Sequence, residues 1–159
     1  MSLMHPESLS LPDLVLQAGV ILLGVQEGEP QKRRFEFGES ALPAHHPLRP
    51  ASRLDIALYP FRVERALKGG PVPPLCRFMS HNDRLTIDWT ERMHATGVSK
   101  SYYVPTYDSS LRLALTELRG RRVILFANRL EVDGDLALTA EGSIESPALE
   151  AEIEKLLGA

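Results

Sequence analysis

The chain has 159 residues, 43% of them hydrophobic and 25% charged, with a net charge of -3. That length suits one domain able to bury a core, and the composition excludes collagen-like, coiled-coil and wholly disordered chains. The slight acidic excess runs against a dedicated nucleic-acid binder, which carries surplus basic charge.

Residues 1–12 read as a flexible leader, with Met1-Ser2-Leu3 before Met4 resembling a cloning remnant, and residues 13–159 as a single domain. Leu14 to Gln26 reads as a buried strand rich in β-branched residues, closed by Glu27-Gly28-Glu29-Pro30. Gly19 and Gly24 mark bulges where a barrel strand can turn its corner. The apolar stretch Leu14–Val25 is shorter than the roughly twenty residues a membrane span needs. No Lys or Arg precedes it, whereas Glu7 and Asp13 do, the wrong charge for an export signal. The expectation is a cytoplasmic protein, exported only if a signal has been removed from its front.

Phe35-Glu36-Phe37 alternates briefly, and 38–53 then forms an exposed, Pro-rich and mobile loop carrying His45-His46. Ile56 to Leu67 contains a clean alternation of Tyr59, Phe61 and Val63, a second strand that Lys68-Gly69-Gly70-Pro71 breaks. Leu75 to His81 is a third strand, with Cys76 and Phe78 on one face. A short helix over Thr86 to Ala95 ends at Gly97. Leu111, Leu115 and Leu118 have helical spacing behind Asp108-Ser109-Ser110, while Leu111, Leu113 and Leu115 also alternate as a strand. Arg122 to Asn128 is the clearest strand, turned at Asp133-Gly134 into a return strand through Leu136, Leu138 and Ala140. Ser146-Pro147 opens a last helix whose apolar stripe is Leu149, Ile153, Leu156 and Leu157. The inventory predicts a mainly β protein: a five-stranded, OB-like antiparallel barrel with a short helix before the fourth strand and a C-terminal helix.

Charge is uneven. Residues 131–159 hold eight acids against Lys155, a net of -7, which leaves +4 for residues 1–130. A lone Cys76 forms no internal disulfide, so a bridge-stapled scaffold is excluded.

Three stretches resemble a known family. Leu14 to Val25 is similar to the first strand of TIMP-like and netrin-module-like domains, where a hydrophobic strand runs into a glycine. Tyr59 to Gly69 resembles their second long strand, which ends in a Lys-Gly turn, and Gly120 to Ala127 resembles a later strand that follows a glycine. The resemblance implies an OB-like barrel of bacterial type used for protein contact or inhibition. The family's inhibitory chemistry needs an N-terminal cysteine and bridging disulfides; this chain starts with Met1 and has only Cys76, so no functional residue transfers.

Candidate chemistry is sparse, and nothing in the motifs asks for a cofactor. His81, Asp83 and His94 could supply three metal ligands, but without any specific zinc spacing. Ser80-His81-Asn82-Asp83 has the letters of a hydrolytic triad, but real triads are assembled from distant parts of a fold, and no Gly-x-Ser-x-Gly elbow is present. Lys32, Arg33, Arg34, Arg62, Arg65, Lys68, Arg121 and Arg122 are candidates to line a groove for single-stranded nucleic acid, the first rival reading. The densest unusual cluster is Tyr102-Tyr103-Val104-Pro105-Thr106-Tyr107, read as a loop. Tyrosine supplies large contact area with few torsions to freeze. Tyr102, Tyr103 and Tyr107, with His45 and His46, are therefore the candidate contacts for a protein or peptide partner, and capping of the barrel is the structural alternative. A non-catalytic binding module is the expectation, with a metal-dependent or nucleophilic hydrolase as second rival.

Overall fold

A computed structural model describes residues 4–100, 102–130 and 134–158, without the side chains of residues 4–7 and Tyr103. In chain order the elements are β1 (Met4–Leu9), α1 (Leu11–Gln17), β2 (Val20–Gln26), β3 (Gln31–Glu36), β4 (Arg53–Lys68), β5 (Leu75–Met79), α2 (His81–Thr96), β6 (Tyr102–Tyr107), β7 (Arg122–Arg129), β8 (Leu136–Leu138), β9 (Ile144–Glu145) and α3 (Glu150–Leu157).

Five of these strands close into a barrel in the order β2-β4-β5-β8-β7, with β7 pairing back onto β2. The OB-like barrel, the helix ahead of the fourth stave and the C-terminal helix are as the sequence predicts. The expectation of a fully antiparallel barrel needs correcting, because β5 and β8 run parallel. The reason is arithmetic. Directions cannot alternate all the way round a ring with an odd number of staves, so one neighbouring pair must be parallel.

Along β2 the register against β4 slips between Ile21 and Leu22 and between Leu23 and Gly24. At Gly24 a Cβ would sit 2.1 Å from the Arg62 carbonyl oxygen, so only glycine lets the strands approach there. The barrel interior is apolar: Leu22, Phe61, Phe78, Val123, Leu125 and Leu138 are among its buried residues. Phe78 meets Phe61 edge-on with ring centroids 6.1 Å apart, and stacks on Tyr59 at 5.5 Å. A second layer forms where α1 and α3 cover the outer face of β2 and β7 through Leu14, Ile21, Ile124, Phe126 and Ile153. The stripe predicted for the last helix is thus core.

Several segments differ from expectation. Leu11–Gln17 is helical and the strand begins only at Val20. Ser10 and Asp13 form a reciprocal capping box, with Pro12 in the first turn, and the Lys68 ammonium donates to the carbonyls of Val15 and Leu16 at the other end. Residues 4–9, read as a flexible leader, form β1, which pairs in parallel with Tyr102–Tyr107, read as a loop. Tyrosine, valine and threonine suit an extended backbone, and the pairing supplies their hydrogen bonds.

His81 opens α2 rather than ending β5, and that helix is longer than predicted. Ser80 caps it by accepting from the Asp83 amide at 3.1 Å, and Gly97, at φ 68°, ends it in the left-handed conformation. Leu111 to Leu118 is neither the helix nor the strand left open by its spacing. It is an extended strap with one 3-10 turn at Leu115–Glu117, and Leu111, Leu113 and Leu115 pack half-buried against the barrel core. In the predicted hairpin turn, Glu131, Val132 and Asp133 lie outside the described residues; β7 and β8 on either side do pair antiparallel.

The Pro-rich segment between β3 and β4 is exposed, and it is moored at both ends. Ala41 donates to the His94 carbonyl at 3.0 Å, and the His94 ring Nε2 donates to the Ala51 carbonyl at 2.6 Å while stacking on Phe37. Among the described residues, no helix is long and apolar enough to cross a membrane.

Candidate functional site

Where the parallel strands β5 and β8 end and α2 begins, a cavity of about 320 Å³ remains. One wall is apolar: Leu111, Leu113 and Leu115 of the strap, Leu138 at the end of β8, and Ile144. The other is polar, made by the first turn of α2 (Ser80, His81, Asn82) together with Asp108 and Glu141. Its volume falls at the lower end of the range for ligand pockets, and its mix of apolar wall and few polar groups is typical of them. A wider hollow of about 540 Å³ lies beside the Pro-rich loop, lined by Phe37, Arg49 and His94 among others, and is open to solvent.

The strap that roofs the cavity is held by a buried carboxylate. Glu145 is 1% exposed. Its carboxylate accepts from the Tyr107 hydroxyl at 2.7 Å, from the Ser110 hydroxyl and from the Ser146 amide at 2.9 Å. Burial acts to raise the Glu145 pKa, but the hydrogen bonds from Ser110, Tyr107 and Ser146 outweigh it and hold the group below the ordinary carboxylate value. The neighbouring Ser109 hydroxyl donates to the Ile144 carbonyl. Between these anchors and the 3-10 turn, Arg112 takes φ 50°, a left-handed conformation uncommon outside glycine.

His81 lines the same cavity. Its Nδ1 lies 3.1 Å from the Leu138 carbonyl oxygen, which can only accept, so Nδ1 carries the proton. Burial pushes its pKa below the ordinary histidine value, leaving a neutral ring whose Nε2 has no hydrogen-bond partner.

The residues singled out from sequence are dispersed by the fold. Tyr107 is turned inward, with its hydroxyl on Glu145 and its ring 6.4 Å from that of Phe126. Burial and the Glu145 charge push its pKa up. Tyr102 is half-buried, with the Lys100 ammonium 5.9 Å from its ring centroid, and strand alternation places it on the opposite face from Tyr107. The side chain of Tyr103 lies outside the described residues. His45 is exposed, and His46 Nδ1 accepts from the Leu48 amide at 3.1 Å inside the Pro-rich loop.

His81 and His94 stand near opposite ends of α2, roughly 20 Å apart at helical rise. They are not brought together with Asp83, and among the described residues no group of three or more His, Cys, Asp or Glu is placed to hold a metal ion. Ser80 is occupied as a helix cap. The Cys76 thiol is buried, which pushes its pKa up to about 11, the opposite of an activated nucleophile.

The basic residues are largely tied to acids. Arg34 pairs with Asp55 at 3.0 Å, Arg62 with Glu27 at 2.6 Å and Arg122 with Glu64 at 2.7 Å. Arg65 pairs with Glu150 at 2.7 Å and also with Glu154. Arg33 reaches Asp135 at 2.8 Å, and Lys68 caps α1. Lys32 and Arg121 remain exposed. A cationic groove for a phosphate backbone needs charges available for counterion exchange, and most of these are already matched.

Sequence reasoning passed over Glu145 and Glu141 as members of an acidic face and placed Leu111–Leu115 in regular structure. The one available signal for the strap was that its leucines fit two periods equally well. No protein-family model matches the chain, and no curated protein matches it.

Proposed function

We propose that this protein is a non-catalytic binding module for a protein or peptide, and that the cavity between the leucine strap and the first turn of α2 receives a side chain of the partner. The observation that carries the reading is the cavity itself, apolar on one side, polar on the other and bordered by an internally braced strap. It takes the place of the tyrosine cluster, whose Tyr107 is engaged inside the fold. The TIMP-like and netrin-module-like resemblance belongs to the same proposal. It is supported by the positions of β2, β4 and β7, three staves of the barrel that hold most of the second and third similar stretches and the Val20–Val25 half of the first, whose Leu14–Gln17 half is helical instead.

A displayed-peptide library selected against the wild type and against Leu113→Trp, which fills the cavity, tests it. Enriched peptides that bind the wild type and lose at least about tenfold on the variant, with its melting temperature retained, are the expected result. Peptides that bind both forms equally place the site elsewhere; no enrichment at all removes the binding reading.

A further inference from the structure

The polar side of the cavity is unbalanced in charge. Asp108 and Glu141 line it, and neither takes part in an ion pair or side-chain hydrogen bond among the described residues. Glu145, next in the chain to the lining residue Ile144, stays ionised on hydrogen bonds from hydroxyls and an amide, so no cation in contact neutralises it. His81 adds an unprotonated ring nitrogen rather than a positive charge. Against these stand the exposed Arg112 and the partial positive charge of the α2 N-terminus, which the Ser80 hydroxyl and the Asp83 carboxylate already face. The acidic C-terminal residues noted in the sequence, net -7 over 131–159, thus include one, Glu141, that the fold brings to this opening.

Resting on the binding reading above, we infer that the cavity selects a cation carried on an aliphatic stem, the side chain of a lysine or arginine in a basic partner segment. The stem lies along Leu111, Leu113, Leu138 and Ile144, and the charged head stays at the wet rim beside Asp108 and Glu141. A fully buried head group would lose its water; a rim position keeps it hydrated, so attraction to two carboxylates sets preference more than affinity.

Three matched probes decide it: n-hexylammonium, 1-hexanol and hexanoate, titrated at low ionic strength while the methyl resonances of Leu138 and Ile144 are followed. Hexylammonium is expected to bind about fivefold more tightly than hexanol, with hexanoate weakest, and the order to flatten with added salt. The double variant Asp108→Asn, Glu141→Gln changes two exposed residues, and it is expected to abolish the preference. Equal affinities for the three probes, tighter binding of hexanoate, or a preference that survives in the double variant overturn the inference while leaving the cavity as a binding site. No methyl shift with any probe overturns the cavity reading and this inference together.

Discussion

Among the described residues, the protein buries two carboxylates and satisfies them in opposite ways. Asp135, 3% exposed, is gripped by arginines: Arg77 spans both oxygens at 3.0 and 2.9 Å, and Arg33 reaches one at 2.8 Å. Glu145, 1% exposed, is held by the hydroxyls of Tyr107 and Ser110 and by the backbone amides of Ser110 and Ser146, with no ion pair among the described residues. The first arrangement ties β3 and β5 to the β7–β8 hairpin and neutralises the carboxylate. The second pins the strap to β9 and leaves a negative charge standing near the cavity. One end of the molecule is electrostatically closed, whereas the other is mechanically braced and electrostatically open. A clasp of the first kind leaves nothing for a ligand, and a brace of the second kind does.

Removing each carboxylate measures the contrast. Asp135→Ala removes the carboxylate that Arg33 and Arg77 share, and is expected to cost about 3 kcal/mol in denaturant unfolding. The arginines are partly exposed, at 25% and 34%, and can turn to water, which keeps the loss below that of a fully buried pair. A loss under about 1 kcal/mol would show that the clasp is only a surface feature.

Glu145→Gln keeps the shape but has an amide donor where the carboxylate accepts, and is expected to cost about 2 kcal/mol near neutral pH. Its signature is in pH. The folded group ionises below its usual value of 4.5, so the unfolded chain takes up the proton first. The contribution is complete above that value and is lost as pH falls through the native one. Thermal unfolding from pH 6 down to pH 3 should therefore show a shallower fall for Glu145→Gln than for the wild type. Parallel curves would mean the carboxylate is not stabilised by folding.

The smallest effect belongs to Tyr107→Phe, which deletes one of the donors and retains the ring against Phe126. A loss of about 1 kcal/mol is expected, disappearing in the Glu145→Gln background because the two share one bond. Additive losses would separate them.

Much of the barrel was legible because each stave announces itself locally. Phe61, Phe78 and Val123–Ala127 carry the alternation or density of apolar residues that a half- or fully-buried strand requires, and Gly24 marks the bulge where β2 shifts register. The N-terminal third misled for an equally local reason. Leu14-Val15-Leu16 fits a helix and a strand alike, and the capping pair Ser10 and Asp13 was the signal that separates them. The candidate site was barely legible. Leu111 to Leu115 has no hydrogen-bonded period to detect, and its roof over the cavity depends on Ser109 and Ser110 meeting Ile144 and Glu145, about 35 residues away in the chain.

The sequence by itself determined a mainly β chain of OB-like order with a closing helix, because hydrophobic period and turn chemistry are properties of neighbours. It also determined the absence of any internal disulfide. Tertiary structure decided which polar residues are spent and which are free. Whether an arginine is paired, a tyrosine turned inward or a carboxylate left without a counter-charge depends on contacts between distant segments, and no local pattern encodes them. Arg62 and Glu27, Tyr107 and Glu145, and His81 and Leu138 all meet only once the barrel has closed.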